Sequence, residues 1–268
     1  MRIKMSASSM KNFSKCPKYY FWAKVEGIET REKSDALKLG KYVDDIVGNG
    51  KSEVEESDEQ SVWLAKGRSI IRAMESLGIS KIFDKYEKQK PIEFEIENNG
   101  TIVDITGFMD FAANDHIGEL KVSVKPESYL NKWFIGEQVG TYLMSMIEYN
   151  SVIMYVVQVP ELKYNESKET AGDYEARCYE DIMRRPGYYF HGLNKEKDSF
   201  GVKFMRQEFD LIHLAQKYIW LAKQIVDCHE NKFWPDRRSE CFNPFKCDYL
   251  EACSIGVSMD RYKKREDR

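Results

Sequence analysis

The chain has 268 residues, of which 42% are hydrophobic, 13% aromatic and 32% charged, with a net charge of −3. That composition supports a packed core and excludes a disordered or low-complexity chain, while the near-neutral charge leaves nucleic-acid contact to local patches rather than to an overall basic footprint. The longest wholly apolar run, VIMYVV at 152–157, is too short to cross a bilayer, and the opening MRIKMSASSM lacks the apolar centre of a secretory signal, so the reading is a soluble, intracellular protein without membrane association.

In chain order, residues 7–25 read as helix with serine caps, interrupted or restarted at Pro17. Residues 36–47 form an amphipathic helix, and the acidic stretch 48–60 (GNGKSEVEESDEQ) is an exposed loop. A longer helix follows over 60–77. Strands at 91–97 and 101–112 pair across Asn98-Asn99-Gly100, a hairpin signal, and a third strand covers 116–124. A helix over 132–148 leads to the β-branched strand 151–159. Residues 163–172 read as loop, 173–180 and 201–209 as strands, and 210–230 as a helix. The expected fold class is α/β, a central mixed sheet flanked by helices. Its organisation is one domain over 1–268, with an N-terminal helical part (1–90), a core (91–210) and a C-terminal helix with a cysteine-rich tail (211–268).

One stretch concentrates charge inside an apolar pattern. In GFMDFAANDHIGELK (107–121), Asn114-Asp115 is placed to close a two-residue hairpin. That register sets Asp110 directly across from Glu119 and puts Lys121 on the same face, while Met109, Phe111, Leu120 and Val122 take the other, buried face. Opposed carboxylates repel, so a cation or a raised pKa has to compensate. On the residues alone, the three form either a site or a salt-bridge ladder on a solvated face.

Other segments surround this trio. Gln138-Val139-Gly140-Thr141-Tyr142 follows Glu119-Leu120-Lys121, Ser8-Ser9-Met10-Lys11-Asn12-Phe13 leads into Cys16-Pro17 near the start, and Cys241, Cys247 and Cys253 lie near the end. With Gly107-Phe108-Met109-Asp110, this order resembles the PD-(D/E)XK nuclease superfamily. Within it, the chain is similar to the RecB-like branch that carries an iron–sulfur cluster, which includes CRISPR-associated RecB-like exonucleases, AddB-type subunits and phage exonucleases.

The resemblance implies a divalent-metal-dependent DNA exonuclease, acting on single-stranded or free ends in end processing, recombination or CRISPR adaptation, with protein partners in such complexes. It implies that Asp110, Glu119 and the Leu120 carbonyl hold Mg²⁺ or Mn²⁺, oxygen donors that suit these cations. Lys121 would orient water or neutralise the transition state. Gln138 and Tyr142, four apart on one helix face, would flank the site and touch the DNA strand; Glu95 is a further acidic candidate. The branch usually carries a histidine four residues after a glycine on the second helix; after Gly40 this chain has Asp44. Either Asp44 replaces that ligand or the position has lost its role, and the latter keeps open an alternative, a non-catalytic DNA-binding module of the same fold.

The resemblance also implies that Cys16, Cys241, Cys247 and Cys253 hold a [4Fe–4S] cluster that acts as a structural staple beside the DNA entrance. Unligated core cysteines and zinc remain alternatives, although the C-x5-C-x5-C spacing fits zinc poorly. Cys178 and Cys228 read as small buried hydrophobes. Arg184-Arg185, Tyr188-Tyr189-Phe190, Arg237-Arg238 and the tail RYKKREDR are candidates for phosphate contact and base stacking. His116, His191, His213 and His229 have no triad-like or metal-ligand spacing.

Overall fold

The structure is a computed structural model describing every residue except 32, 53–60, 195, 197–198, 243–245 and 266–268; the side chains of residues 133 and 134 are likewise not described. Most of the expected acidic loop at 48–60 therefore lies outside the described residues. In chain order the elements are β1 (Arg2–Met5), α1 (Ala7–Lys15), α2 (Pro17–Tyr20), β2 (Ile28–Thr30), α3 (Asp35–Asn49), α4 (Val62–Ser76), β3 (Glu87–Asn98), β4 (Thr101–Ala112), β5 (His116–Ser123), α5 (Lys132–Ser145), β6 (Ser151–Gln158), α6 (Ala171–Arg184), α7 (Pro186–Tyr189), β7 (Val202–Met205), α8 (Leu211–Glu230), α9 (Leu250–Ser254) and β8 (Tyr262–Lys264).

The fold is mixed α/β, a central mixed sheet flanked by helices. Strand order is β1-β4-β5-β6-β7, with β3 also on β4. The β1–β4 and β5–β6 pairs are parallel; β4–β5 and β6–β7 are antiparallel. The β3–β4 hairpin turns at Asn99 (φ 49°) and Gly100 (φ 73°), the two positive dihedrals that a type I′ turn requires and that Asn-Gly supplies at low cost.

The chain divides into two compact units. The first comprises Met1–Lys33, Ile92–Gly107 and Asp210–Arg268. Here β1 lies on the first half of β4, from Arg2 opposite Ile102 to Met5 opposite Ile105. Ser6 caps α1, and Cys16 is extended (φ −162°, ψ 119°) ahead of Pro17, the conformation a proline imposes on the residue before it. Phe13 and Tyr20 pack on Trp234, and Ala23, Ile28, Tyr249, Ala252 and Tyr262 form a small core under the β2–β8 pair.

The second unit comprises Ser34–Pro91 and Phe108–Phe209. Its core joins Leu39 and Val43 of α3, Ile70, Ala73 and Met74 of α4, Phe111, Leu120, Tyr155 and Ile182 of α6. The helix α5 is the crossover between the parallel strands β5 and β6. Its C-terminal end is fastened by Arg206, whose Nη1 donates to the carbonyls of Leu143, Met146 and Tyr149.

Three expectations are corrected. Residues 173–180 belong to the helix α6, not to a strand: Tyr174, Cys178 and Ile182 are buried at four-residue intervals, and Thr170 with Asp173 forms a capping box at its start. Cys178 is nonetheless the small buried hydrophobe expected. The strand expected at 201–209 stops at Met205, where the chain enters a 3₁₀ turn at Arg206–Glu208. The helix expected through 148 ends at Ser145. Strands β1, β2 and β8 carry no alternation long enough to announce them. Among the described residues, no helix is long and apolar enough to cross a membrane.

Candidate functional site

All six side chains expected at the catalytic centre lie in the second unit, on α3, β4, β5 and α5. The hairpin register is the expected one where the strands pair: Phe111 faces Gly118 and Ala112 faces Ile117, and Asp110 and Glu119 come next along the two strands. Gly118 is required there, because a Cβ would come within 2.9 Å of the Tyr155 ring and 3.0 Å of Phe111. Two residues past Gly118, the Leu120 amide donates to Asp110 Oδ2 at 3.1 Å, so the carboxylate is tied to the neighbouring strand. Met109, Phe111 and Leu120 are buried on the opposite face, as expected.

Glu119 is fully buried, a cost met only in part. Its Oε1 accepts from Lys121 Nζ and from Gln138 Nε2, and Gln138 Nε2 also reaches the Tyr142 hydroxyl at 2.9 Å. Its Oε2 has no hydrogen-bond donor, although it is buried. Asp110 lies close enough for the two carboxyl groups to share a hydrogen. Two acid oxygens in that position need a proton or a cation between them.

The electrostatics agree. Burial raises the pKa of Glu119, and Asp110 and Asp44 push it further in the same direction, against the pull of Lys121. Burial also raises Asp110, offset by Lys121 and the Leu120 amide. Asp44 is pushed up to about 7 by its protein surroundings first and by Asp110 next. Asp44 is nonetheless an exposed residue, and solvent screening limits the rise. Burial works against the Lys121 ammonium, yet Glu119, Asp110 and Asp44 outweigh it and hold the lysine charged. Three carboxyl groups thus face one cation, an excess of acid that favours taking up positive charge.

Among the described residues, no group of three His, Cys, Asp or Glu side chains stands ready to hold a metal ion. Asp110, Glu119 and Asp44 are near enough to perturb one another, with the Lys121 ammonium on the Glu119 oxygen. The donor set nevertheless fits a hard divalent cation: it is all oxygen, and one buried carboxylate oxygen is unclaimed.

The other candidates divide. Glu95 is held by Arg2, which also binds Asp104. Asp45, beside Asp44, pairs with Lys41. In the first unit, Cys253 feels Cys16 and Cys241, and Cys247 feels Cys241, but the four thiols do not form a group that could hold a metal ion as they stand. Burial raises both Cys247 and Cys253, and the Cys253 sulfur accepts from Trp22 Nε1 at 3.2 Å. Of the aromatic trio, Tyr189 and Phe190 are core residues, and Arg185 is paired with Asp181. In the tail, Tyr262 is buried, and Arg261, Lys263, Lys264 and Arg265 pair with Glu251, Glu29, Glu26 and Glu29. His116 bridges Asp115 and the Tyr86 hydroxyl, a structural hydrogen-bond chain.

No protein-family model matches the chain, and no curated protein matches it. Among solved structures, it is similar to a phage-related exonuclease from Haemophilus somnus 129PT at 15% identity and a TM-score of 0.40, over 85% of this chain and 96% of that one. A structure of SSO0001 is similar at 15% identity and a TM-score of 0.33, over 68% of this chain and 76% of that one. At that level of likeness, neither assigns a function to this chain.

Proposed function

We propose that this chain is a divalent-cation-dependent DNA nuclease of the RecB-like kind, with Asp110, Glu119 and Lys121 as its catalytic residues. The observation that carries the reading is the buried, donor-less Glu119 Oε2 in a side chain that also interacts with Asp110 and the charged Lys121. Asp110 and Glu119, with the Leu120 carbonyl and the exposed Asp44, would hold Mg²⁺ or Mn²⁺. A bound divalent cation would supply Lewis acidity at a phosphate and ease deprotonation of a water.

The remaining work falls to the chain. Lys121 offers its ammonium to the charge that develops on the phosphate. Gln138 holds Glu119 Oε1, leaving Oε2 for the cation, and Tyr142 orients the Gln138 amide. The substrate we propose is DNA with single-stranded or free ends, and the setting end processing, recombination or CRISPR adaptation. Cys16, Cys241, Cys247 and Cys253 would hold a [4Fe–4S] cluster. Thiolate donors suit one, and all four cysteines belong to the same compact unit.

A second reading, a DNA-binding module without catalysis, is favoured by one observation: the Lys121 ammonium, not a gap, stands at Glu119 Oε1. Calorimetric titration with Mn²⁺ separates the two. The nuclease reading expects uptake that Glu119→Gln weakens at least tenfold; DNA binding with no cation uptake would favour the module.

A further inference from the structure

Phe108 was not among the expected site residues, and its place in the fold gives it a use. Its side chain is 60% exposed, the most exposed aromatic ring among the described residues of the second unit. Single exposed apolar side chains are ordinary on protein surfaces; the position of this one is not. Residues 101, 103, 105, 109 and 111 of β4 are buried, with Gly107 between them half-buried, and Phe108 shares the other face with Asp110, about 7 Å along the strand. An uncovered ring thus lies two residues along β4 from the Asp110 carboxyl group, on the same face of the strand.

We infer that Phe108 is a stacking platform for the nucleobase beside the scissile phosphate, and that it selects unpaired DNA. The inference rests on the nuclease reading and deepens it by naming the substrate form. A phosphate held at Lys121, Asp110 and Glu119 brings its own nucleoside within reach of the ring. Every base has a face that can stack on an aromatic side chain, so the contact is tolerant of sequence. A base in a duplex is already stacked on its neighbours and has to be extruded first.

The test compares wild-type protein, Phe108→Ala and Phe108→Tyr on single-stranded and fully paired oligonucleotides, with binding measured by fluorescence anisotropy and cleavage by release of label. Phe108→Ala is expected to raise the single-strand KM and Kd roughly five- to a hundredfold, with a much smaller effect on kcat, and Phe108→Tyr to recover most of the loss. An abasic site beside the cut should weaken wild-type binding and leave Phe108→Ala no worse. Wild-type cleavage with unchanged Phe108→Ala binding, or equal losses on single-stranded and paired DNA, would overturn the stacking role while leaving the nuclease reading intact. A wild-type protein that neither binds nor cleaves DNA would overturn both.

Discussion

Glu119 is the residue on which the site turns. A carboxylate is among the groups most expensive to bury, and here it is fully enclosed with one oxygen unmatched. Its neighbour Asp44 gives the clearest dependence on pH. The folded pKa of Asp44 is raised to about 7, above its ordinary carboxylate value, so its contribution to stability is fully present below about pH 4 and lost as the pH rises through 7. In EDTA, Asp44→Asn should therefore become more stable relative to wild type between pH 5 and pH 8, as followed by urea unfolding; a difference independent of pH would remove Asp44 from the cluster. Asp44→His is expected to shift cation preference from Mg²⁺ toward Mn²⁺, because imidazole suits the softer ion, and rates measured with each metal read this directly. The opposition of Asp110 and Glu119 was legible in the sequence, since the Asn114-Asp115 turn fixes the register. The depth of Glu119 was not, because it depends on Gln138 and Tyr142 arriving from a helix distant in sequence.

At the scale of elements, Gly118 and Arg206 place the site without touching it. Gly118→Ala puts a methyl group where Tyr155 and Phe111 leave no room, beside Glu119. Overpacking of this kind costs about 1–3 kcal/mol, measurable as a lower unfolding midpoint. Arg206→Met removes the donor to one carbonyl in the last turn of α5, the helix that carries Gln138, and to two in the loop that follows. Each lost bond from a charged donor is worth about 1.5–3 kcal/mol, so stability should fall by at least that much, together with activity. Periodicity revealed the long helices and the β3–β4 hairpin, whose patterns are local. It failed for α6, where Tyr174 and Cys178 in YEARCYE imitated alternation, although the Thr170-to-Asp173 capping box was available as a signal. Strand β1, four residues long, is held by its parallel pairing with β4, which no local pattern encodes.

At the scale of the whole molecule, the two compact units carry different chemistry: the oxygen-rich cluster belongs to one, the four cysteines to the other. The cysteines come from opposite ends of the chain, and a shared ligand, if they hold one, would close a long loop and restrict the unfolded state. Protein purified without oxygen should be brown with about four irons per chain, as a [4Fe–4S] assignment demands, and Cys247→Ser should lose iron and thermal stability together. Colourless protein holding zinc would replace the cluster with another metal. The central claim, that Asp110, Glu119 and Lys121 cut DNA with a divalent cation, is tested most directly by release of label from an end-labelled single-stranded oligonucleotide. Cleavage with Mg²⁺ or Mn²⁺, abolished by EDTA and reduced about a hundred- to a thousandfold or more by Lys121→Ala in a folded protein, is the expected result. Undiminished cleavage by Lys121→Ala, or no cleavage by wild-type protein with either cation, would contradict it.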